Sequence, residues 1–334
     1  MRRLLVLALC GAAALSITIV WGIFFTNCLT NCEEDTRIYI YEDNTPATVG
    51  QLLQDAGVRT TGFALLSKVA GYKVRTGMYT VRRGDNLLAV FRRLRNGQQE
   101  PLNLTIPSVR TLDRLAEYLG EHLMLDAAMF NSEWAEGWND GTHSYTRETL
   151  PALFIPNTYQ VYWNTSYNEF MQRMQRENDA FWMAEREAKA KEAGLSRIEV
   201  ATLASIVDEE TANNGEKPMV AGMYMKRISV GMPLQADPTV KFAIGDFTLR
   251  RIYQKHLAVE SPYNTYKHVG LPPGPIRIAS VAGIDAVLNY VHCDYLYMCA
   301  KEDFSGTHNF ARTYAEHLAN ARKYVKALNE RGIK

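Results

Sequence analysis

The sequence is short of the features that mark most common chemistries. It carries 37 Lys and Arg against 36 Asp and Glu, a formal net charge of +1, and so lacks the basic excess that binds nucleic-acid phosphates. It contains no Gly-x-Ser-x-Gly elbow, no His-Glu-x-x-His, no Gly-x-x-x-x-Gly-Lys loop and no Gly-x-Gly-x-x-Gly. Those absences disfavour the usual hydrolase, zinc-protease, nucleotide and dinucleotide sites. The seven histidines form no ligand cluster, so neither a metal nor another cofactor is implied. Of the five cysteines, Cys293 and Cys299 would share one side of a strand but lie about 20 Å apart along it, too far for a disulfide. Cys28 and Cys32 have no nearby His or further Cys to complete a zinc site. There are no internal repeats and no low-complexity segment. What remains is 334 residues with 47% apolar content, enough for a folded chain of about two domains.

Charge is also absent from Leu4 to Thr26, a run of 23 residues that crosses a hydrocarbon core at about 1.5 Å per residue. It exceeds the h-region of a secretory signal, usually about 7–15 residues, so a retained anchor fits better than a cleaved signal. Arg2 and Arg3 precede it, and Glu33, Glu34 and Asp35 follow. The positive-inside rule then keeps the N-terminus cytoplasmic and exports the rest. A lipidated Cys32 fits poorly, because Asn31 stands just before it.

Beyond the anchor, the α+β pattern is mixed. Arg37–Glu42 alternates like a strand and 48–56 reads as a short helix. Gly77–Gly97 reads as strand, turn at Gly84, Asp85 N-cap and helix. An amphipathic helix is expected over 111–125, helix and then loop over 127–148, and a long charged helix over 167–193. Further helices follow from Ser196 to Thr211 and over 218–229. The stretch from Cys293 to Cys299 alternates like a strand.

The strongest chemical signal closes the helix that starts at Ser196, where Glu199 completes a capping box. Asp208, Glu209 and Glu210 end it. At about 100° per residue, Leu203, Ile206, Val207 and Glu210 share one face, while Asp208 and Glu209 turn away and are expected in solvent. A carboxylate aimed inward is costly unless paired or protonated, and a raised pKa is what a general acid needs. A structural ion pair, with Arg227 on the next helix, is the competing explanation. Gln235, Asp237 and Thr239 would project to one side of a rigid extended segment containing Pro233 and Pro238. They suit a polyhydroxylated ligand, or an ordinary turn. Tyr263, Asn264, Thr265 and Tyr266 precede Gly270-Leu-Pro-Pro-Gly-Pro275 and offer ring faces beside hydrogen-bonding groups, or a packing loop. His308 and Asn309 follow a turn at Gly306; they could position a ligand, although a lone His is more often structural.

Two resemblances sharpen this pattern. Tyr79-x-Val81-x-x-Gly84-Asp85-x-Leu87 resembles the start of a LysM module, which binds peptidoglycan glycan; a small α+β spacer is the alternative. Leu203-Ala-Ser-Ile-Val-x-x-Glu210-Thr, Val220-Ala-Gly followed by Arg227, Gly231-Met-Pro-Leu-Gln-Ala-Asp-Pro-Thr239, Tyr263-Asn-Thr-Tyr, Gly270-Leu-Pro-Pro-Gly-Pro-Ile and His308-Asn-Phe resemble, in order, the endolytic murein transglycosylase (YceG-like) family. Phe154-Ile-Pro-Asn-Thr-Tyr159 resembles a further family segment, with Asn157 where an acid is common. The resemblance implies an N-terminal segment and transmembrane anchor over 1–32, a LysM-like α+β subdomain over 33–105 and a mixed α+β catalytic domain over 106–334. It implies a single-pass protein of the inner membrane with its catalytic domain in the periplasm. It also implies internal, non-hydrolytic cleavage of nascent glycan strands between N-acetylmuramic acid and N-acetylglucosamine. The catalytic glutamate maps onto Glu210, with Asp208 at a position where family members often carry Glu. Gln235, Asp237, Thr239, Tyr263, Asn264, Thr265, His308 and Asn309 become the substrate-binding candidates. Expected partners are glycan strands, the membrane and the peptidoglycan synthesis machinery, with no nucleic acid; no residue marks a site for the machinery. A two-carboxylate hydrolase using Asp237 and a non-catalytic peptidoglycan-binding protein are the alternatives.

Overall fold

The computed structural model describes residues 2–29, 34–249 and 251–332; Cys32 and Glu33, and with them the Cys28-x3-Cys32 spacing and the lipidation question, lie outside these. The chain divides into two compact units. The first takes residues 1–104 with short returns at 122–124 and 160–165, and the second takes the remainder.

In the first unit, the apolar run forms helix α1 (Arg2–Phe24), of which Leu5–Phe24 is long and apolar enough to cross a membrane. Its C-terminal end is held: the Arg59 guanidinium donates to Gly22 O at 3.0 Å, a carbonyl in the last turn, and to Asn27 O, just past the helix, at 3.1 Å. Strands β1 (Thr36–Ile40) and β2 (Gly77–Val81) pair antiparallel and enclose a core with helices α2 (Pro46–Asp55), α3 (Phe63–Val69) and α4 (Leu87–Asn96). The strand–turn–helix expected over 77–97 is present, but the cap differs by one residue. Asn86, not Asp85, accepts from Ala89 N–H. Asp85 instead accepts from Arg82 N–H and pairs with Arg93 at 2.6 Å.

The chain continues through β3 (Leu102–Thr105), α5 (Leu112–His122), α6 (Ala127–Trp134), the hairpin β4 (Trp138–Asn139) and β5 (Ser144–Tyr145), a 3₁₀ turn at Leu150–Leu153 and β6 (Thr158–Val161). The long charged helix predicted over 167–193 is two helices, α7 (Tyr167–Phe181) and α8 (Ala184–Glu192). The break falls at Trp182, which leaves helical geometry and buries its indole in the second unit's core.

At the centre of that core lies α9 (Arg197–Glu210), capped by Ser196 and Glu199 as the sequence predicts. It is not amphipathic. Every residue from Val200 to Val207 is buried, because α8, α10 (Lys217–Ser229), α11 (Asp237–Ile244), α13 (Val281–Leu288) and the 3₁₀ turn surround it. A helix apolar all round belongs inside a core. The short helix α12 (Gln254–Leu257), an antiparallel pair β7 (Tyr297–Ala300) and β8 (His308–Ala311), and α14 (Tyr314–Glu330) complete the unit. The strand expected from Cys293 begins only at Tyr297, and Cys293 and Cys299 are free thiols.

The Pro-rich segment after Gly270 is threaded along α9. Ile276 N–H donates to Ser205 Oγ at 3.0 Å, Arg277 reaches Glu209 at 2.9 Å, and Ser280 N–H and Oγ donate to Asp208 at 2.7 and 2.8 Å. Gly274 lies so close to the backbone that an added Cβ would sit 2.0 Å from Glu148 O.

These contacts overturn the expectation that Asp208 and Glu209 face solvent. Asp208 is 3% exposed and paired with Lys217, 7% exposed, at 2.7 Å. It sits at the N-terminus of α13, where the helix dipole favours negative charge, and Gly283 makes room: a Cβ there would lie 2.6 Å from the carboxylate. Removing one partner of a buried pair typically costs about 3–5 kcal/mol. Asp208→Asn is therefore expected to lower unfolding stability by about 3 kcal/mol or more, measured by chemical denaturation, with the folded fraction still competent at the acid site.

Candidate active site

The three acids that end α9 have three different fates. Asp208 is neutralised by Lys217. Glu209 is held by Arg110 at 2.8 Å and Arg277 at 2.9 Å. Glu210 has no cation in contact among the described residues; its Oε1 accepts a hydrogen bond from the Tyr224 hydroxyl at 2.6 Å. Arg227, the partner a structural ion pair would need, is spent on backbone: its guanidinium donates to the carbonyls of Leu296 (2.6 Å), Leu234 and Pro233.

Burial pushes the Glu210 carboxyl above the usual carboxylate range, the charge on nearby Asp237 pushes the same way, and Tyr224, His308 and Arg227 oppose it. The residue nevertheless keeps some solvent exposure. An enclosed, unpaired carboxyl with an accessible edge and a raised pKa can hold a proton near neutral pH and surrender it to a bound ligand.

The segment 235–239 is not an extended stripe. Asp237 opens α11, and Pro238 occupies the helix's first turn, where proline's missing N–H costs nothing. Gln235 is held at φ 50°, a left-handed conformation uncommon for a non-glycine residue and associated with constrained sites. Its N–H donates to Thr265 O at 3.1 Å. Gln235 and Asp237 are exposed. Thr239, 0% exposed, bonds Thr265 Oγ1 at 2.8 Å.

Asn264 and Thr265 likewise revise the expectation of ligand contact, being 0% and 1% exposed. Asn264 Nδ2 donates to Leu257 O and Val259 O at 2.9 and 2.8 Å, and Thr265 Oγ1 accepts from Ala236 N–H at 3.0 Å. Thr239 and Thr265 therefore stitch two loops together, and Asn264 ties the second loop back to 257–259. What they fix is the neighbouring pair in which the Tyr266 hydroxyl donates to Asp237 Oδ1 at 2.6 Å.

Tyr263 goes elsewhere. Its ring packs on Phe242 at 4.7 Å and lines a cleft of about 240 Å³ with Arg110, Arg147, Glu148 and Pro275; burial pushes its phenol up to about 12. His308 pairs with Glu216 at 3.0 Å through Nδ1 and donates to it through its backbone N–H. Asn309 Nδ2 donates to Glu302 at 2.7 Å. Of the candidates, Asp237 and His308 are brought within electrostatic reach of Glu210.

A family profile described as the YceG-like family matches residues 38–323. The chain belongs to this family. It is similar to the endolytic murein transglycosylase of Bacillus subtilis strain 168, 28% identical over 273 residues, 77% of this chain and 75% of that protein. The endolytic murein transglycosylase of Streptococcus pneumoniae serotype 2 is 25% identical over 330 residues, 89% of this chain. The chain spans 60% of that longer relative. A crystal structure of a YceG-like protein from Listeria monocytogenes shares the fold, with a TM-score of 0.54 at 23% identity over 86% of this chain and 99% of that one.

The residues of the YceG-like motifs therefore lie in different surroundings: Asn264 and Thr265 are buried in loop contacts, while Asp237, Arg227 and His308 lie within electrostatic reach of Glu210. Sequence reasoning missed Tyr224, Glu216 and Lys217. Each acts across a tertiary contact, and nothing in the spacing of a single chain distinguishes Tyr224 from a core tyrosine.

Because the folded state binds the Glu210 proton more tightly than the unfolded chain, stability falls as pH rises through the window between the two pKa values. Glu210→Gln removes that slope. The variant is expected to match wild type in acid and to be the more stable protein at neutral pH and above. Thermal unfolding measured across pH checks this, and parallel curves would contradict it.

Proposed function

We propose that this chain is an endolytic murein transglycosylase that cleaves the bond from N-acetylmuramic acid to N-acetylglucosamine, with Glu210 as general acid and then base. The observation that carries the proposal is the isolation of Glu210: in a run of three acids it alone lacks a cation, and it is enclosed beneath a single phenol donor. The names of the relatives point the same way.

In this mechanism protonated Glu210 gives its proton to the glycosidic oxygen as the C1–O4 bond breaks, so the departing N-acetylglucosamine end leaves as a 4-hydroxyl. The muramoyl N-acetyl group stabilises the positive charge at C1. Glu210, now ionised, takes the proton from the muramoyl 6-hydroxyl as O6 bonds to C1, closing a 1,6-anhydro ring. No water is consumed and the acid returns protonated. Glycosidases usually need two carboxylates; here the sugar supplies what the second would. Gln235 and Asp237 are proposed at the glycan groove, Tyr263 as a ring platform in its own cleft, and His308 and Asn309 as groups that orient its edge. Helix α1 is proposed as a single-pass anchor in the inner membrane, with the chain beyond it in the periplasm and the synthesis machinery as partner. The LysM-like role of residues 33–105 rests on the Gly84-Asp85 turn.

One observation supports a second reading. Asp237 is exposed and close enough to raise the Glu210 pKa, as the base of a two-carboxylate hydrolase would be. Mass analysis of cleaved strands separates the two, since anhydro ends are one water lighter than hydrolysed ends. Glu210→Gln is expected to lower cleavage by about a hundredfold or more; wild-type rates would sink the assignment. Because the acid must be protonated, kcat/KM is expected to fall as pH rises through the raised Glu210 pKa. The alkaline limb then lies above the ordinary carboxylate range, and a limb within that range would contradict the proposal.

A further inference from the structure

Two phenol–carboxylate pairs stand side by side in the second unit: Tyr224 on Glu210 and Tyr266 on Asp237, each at 2.6 Å. Tyr224 is 1% exposed, and among the described residues its hydroxyl bonds this carboxylate alone. A buried hydroxyl generally needs a partner, and Glu210 supplies it for Tyr224. Glu210 Oε2 makes no hydrogen bond among the described residues.

We infer that Tyr224 is a positioning residue for Glu210: its phenol holds Oε1 as an acceptor and leaves Oε2 as the atom that gives and retakes the proton. The inference rests on the reading of Glu210 as the acid. A phenol donates better to the carbonyl oxygen of a carboxylic acid than to its hydroxyl oxygen, so the proton of neutral Glu210 resides on Oε2. The transglycosylase cycle needs the same atom twice, first toward O4 and then toward the 6-hydroxyl, within one bound geometry. A carboxyl free to rotate would divide the proton between two oxygens and lose that alignment.

Tyr224 also favours the ionised form of Glu210, which is the form that acts as base. The other groups facing Glu210 are Asp237 on α11, Arg227 on α10, His308 on β8 and Tyr266 on the loop before Gly270. Arg227 and His308 are already engaged, with backbone carbonyls and with Glu216, so neither replaces the phenol when it is removed.

The test uses the full-length chain in detergent, with Y224F and E210Q. Infrared spectra over a pH series isolate the Glu210 carboxyl band by subtraction of E210Q, and the pH profile of kcat and KM is followed on glycan strands. In Y224F the carboxyl band is expected to titrate at higher pH than in wild type, with kcat about tenfold lower and KM little changed. A band and profile that titrate as in wild type would overturn the inference. Should Y224F fail to fold, 3-fluorotyrosine placed at position 224, a stronger donor, is expected to move the same band to lower pH, and an unmoved band again overturns it. Retained cleavage by E210Q would remove the acid assignment instead, while the band still reports whether Tyr224 and Glu210 are coupled.

Discussion

The second unit depends on how a helix buried on every side disposes of three consecutive carboxylates. Helix α9 is buried from Val200 to Val207 because five neighbouring elements enclose it, and its two hydroxyls there, Thr202 and Ser205, are hydrogen-bonded. Its last turn then delivers Asp208, Glu209 and Glu210 into surroundings where an unpaired charge is costly. Two of the three are neutralised by cations brought from elsewhere: Lys217 from the start of α10, and Arg110 and Arg277 from two loops. Those pairs, with the Ser280 hydrogen bonds to Asp208, help tie α10, the start of α13 and the Pro-rich segment to α9.

Glu210 shows the opposite solution. It is stabilised by one phenol and left close to the charge of Asp237. Such a group weakens the folded state when ionised, and proteins commonly tolerate that loss where activity requires it. The contrast within three residues is informative because the backbone environment is shared. Only the partners differ, and they separate two structural acids from one that can exchange a proton.

The second recurring device is the stitching of 235–239 to 261–266. Thr239 and Thr265 bond across the two loops, Thr265 O accepts from the left-handed Gln235, and Asn264 fixes the second loop on 257–259, so that Asp237 is presented with Tyr266 beside it. Rigid support beneath exposed polar groups is what precise positioning of a ligand demands.

Much of this was legible in the residues themselves. The apolar run, the capping box of Ser196 and Glu199 and the strand–turn–helix over 77–97 are local patterns, set by hydrophobic periodicity and by side chains bonding their own backbone. The helical-face reasoning that singled out Glu210 from the acid run assumed an amphipathic helix, which α9 is not. Burial of Asp208 and Glu209 was not legible, nor was the helical start at Asp237, nor the inward turn of Thr239, Asn264 and Thr265. Each depends on a partner distant in the chain, such as Ser280 for Asp208, or Thr265 for Thr239. The sequence by itself determined the apolar run, the strand–turn–helix over 77–97 and the capped start of α9, and that carboxyls would end that helix. Only the tertiary structure decided which carboxyl stays uncompensated, because charge neutralisation in a core is settled by what other elements bring to it.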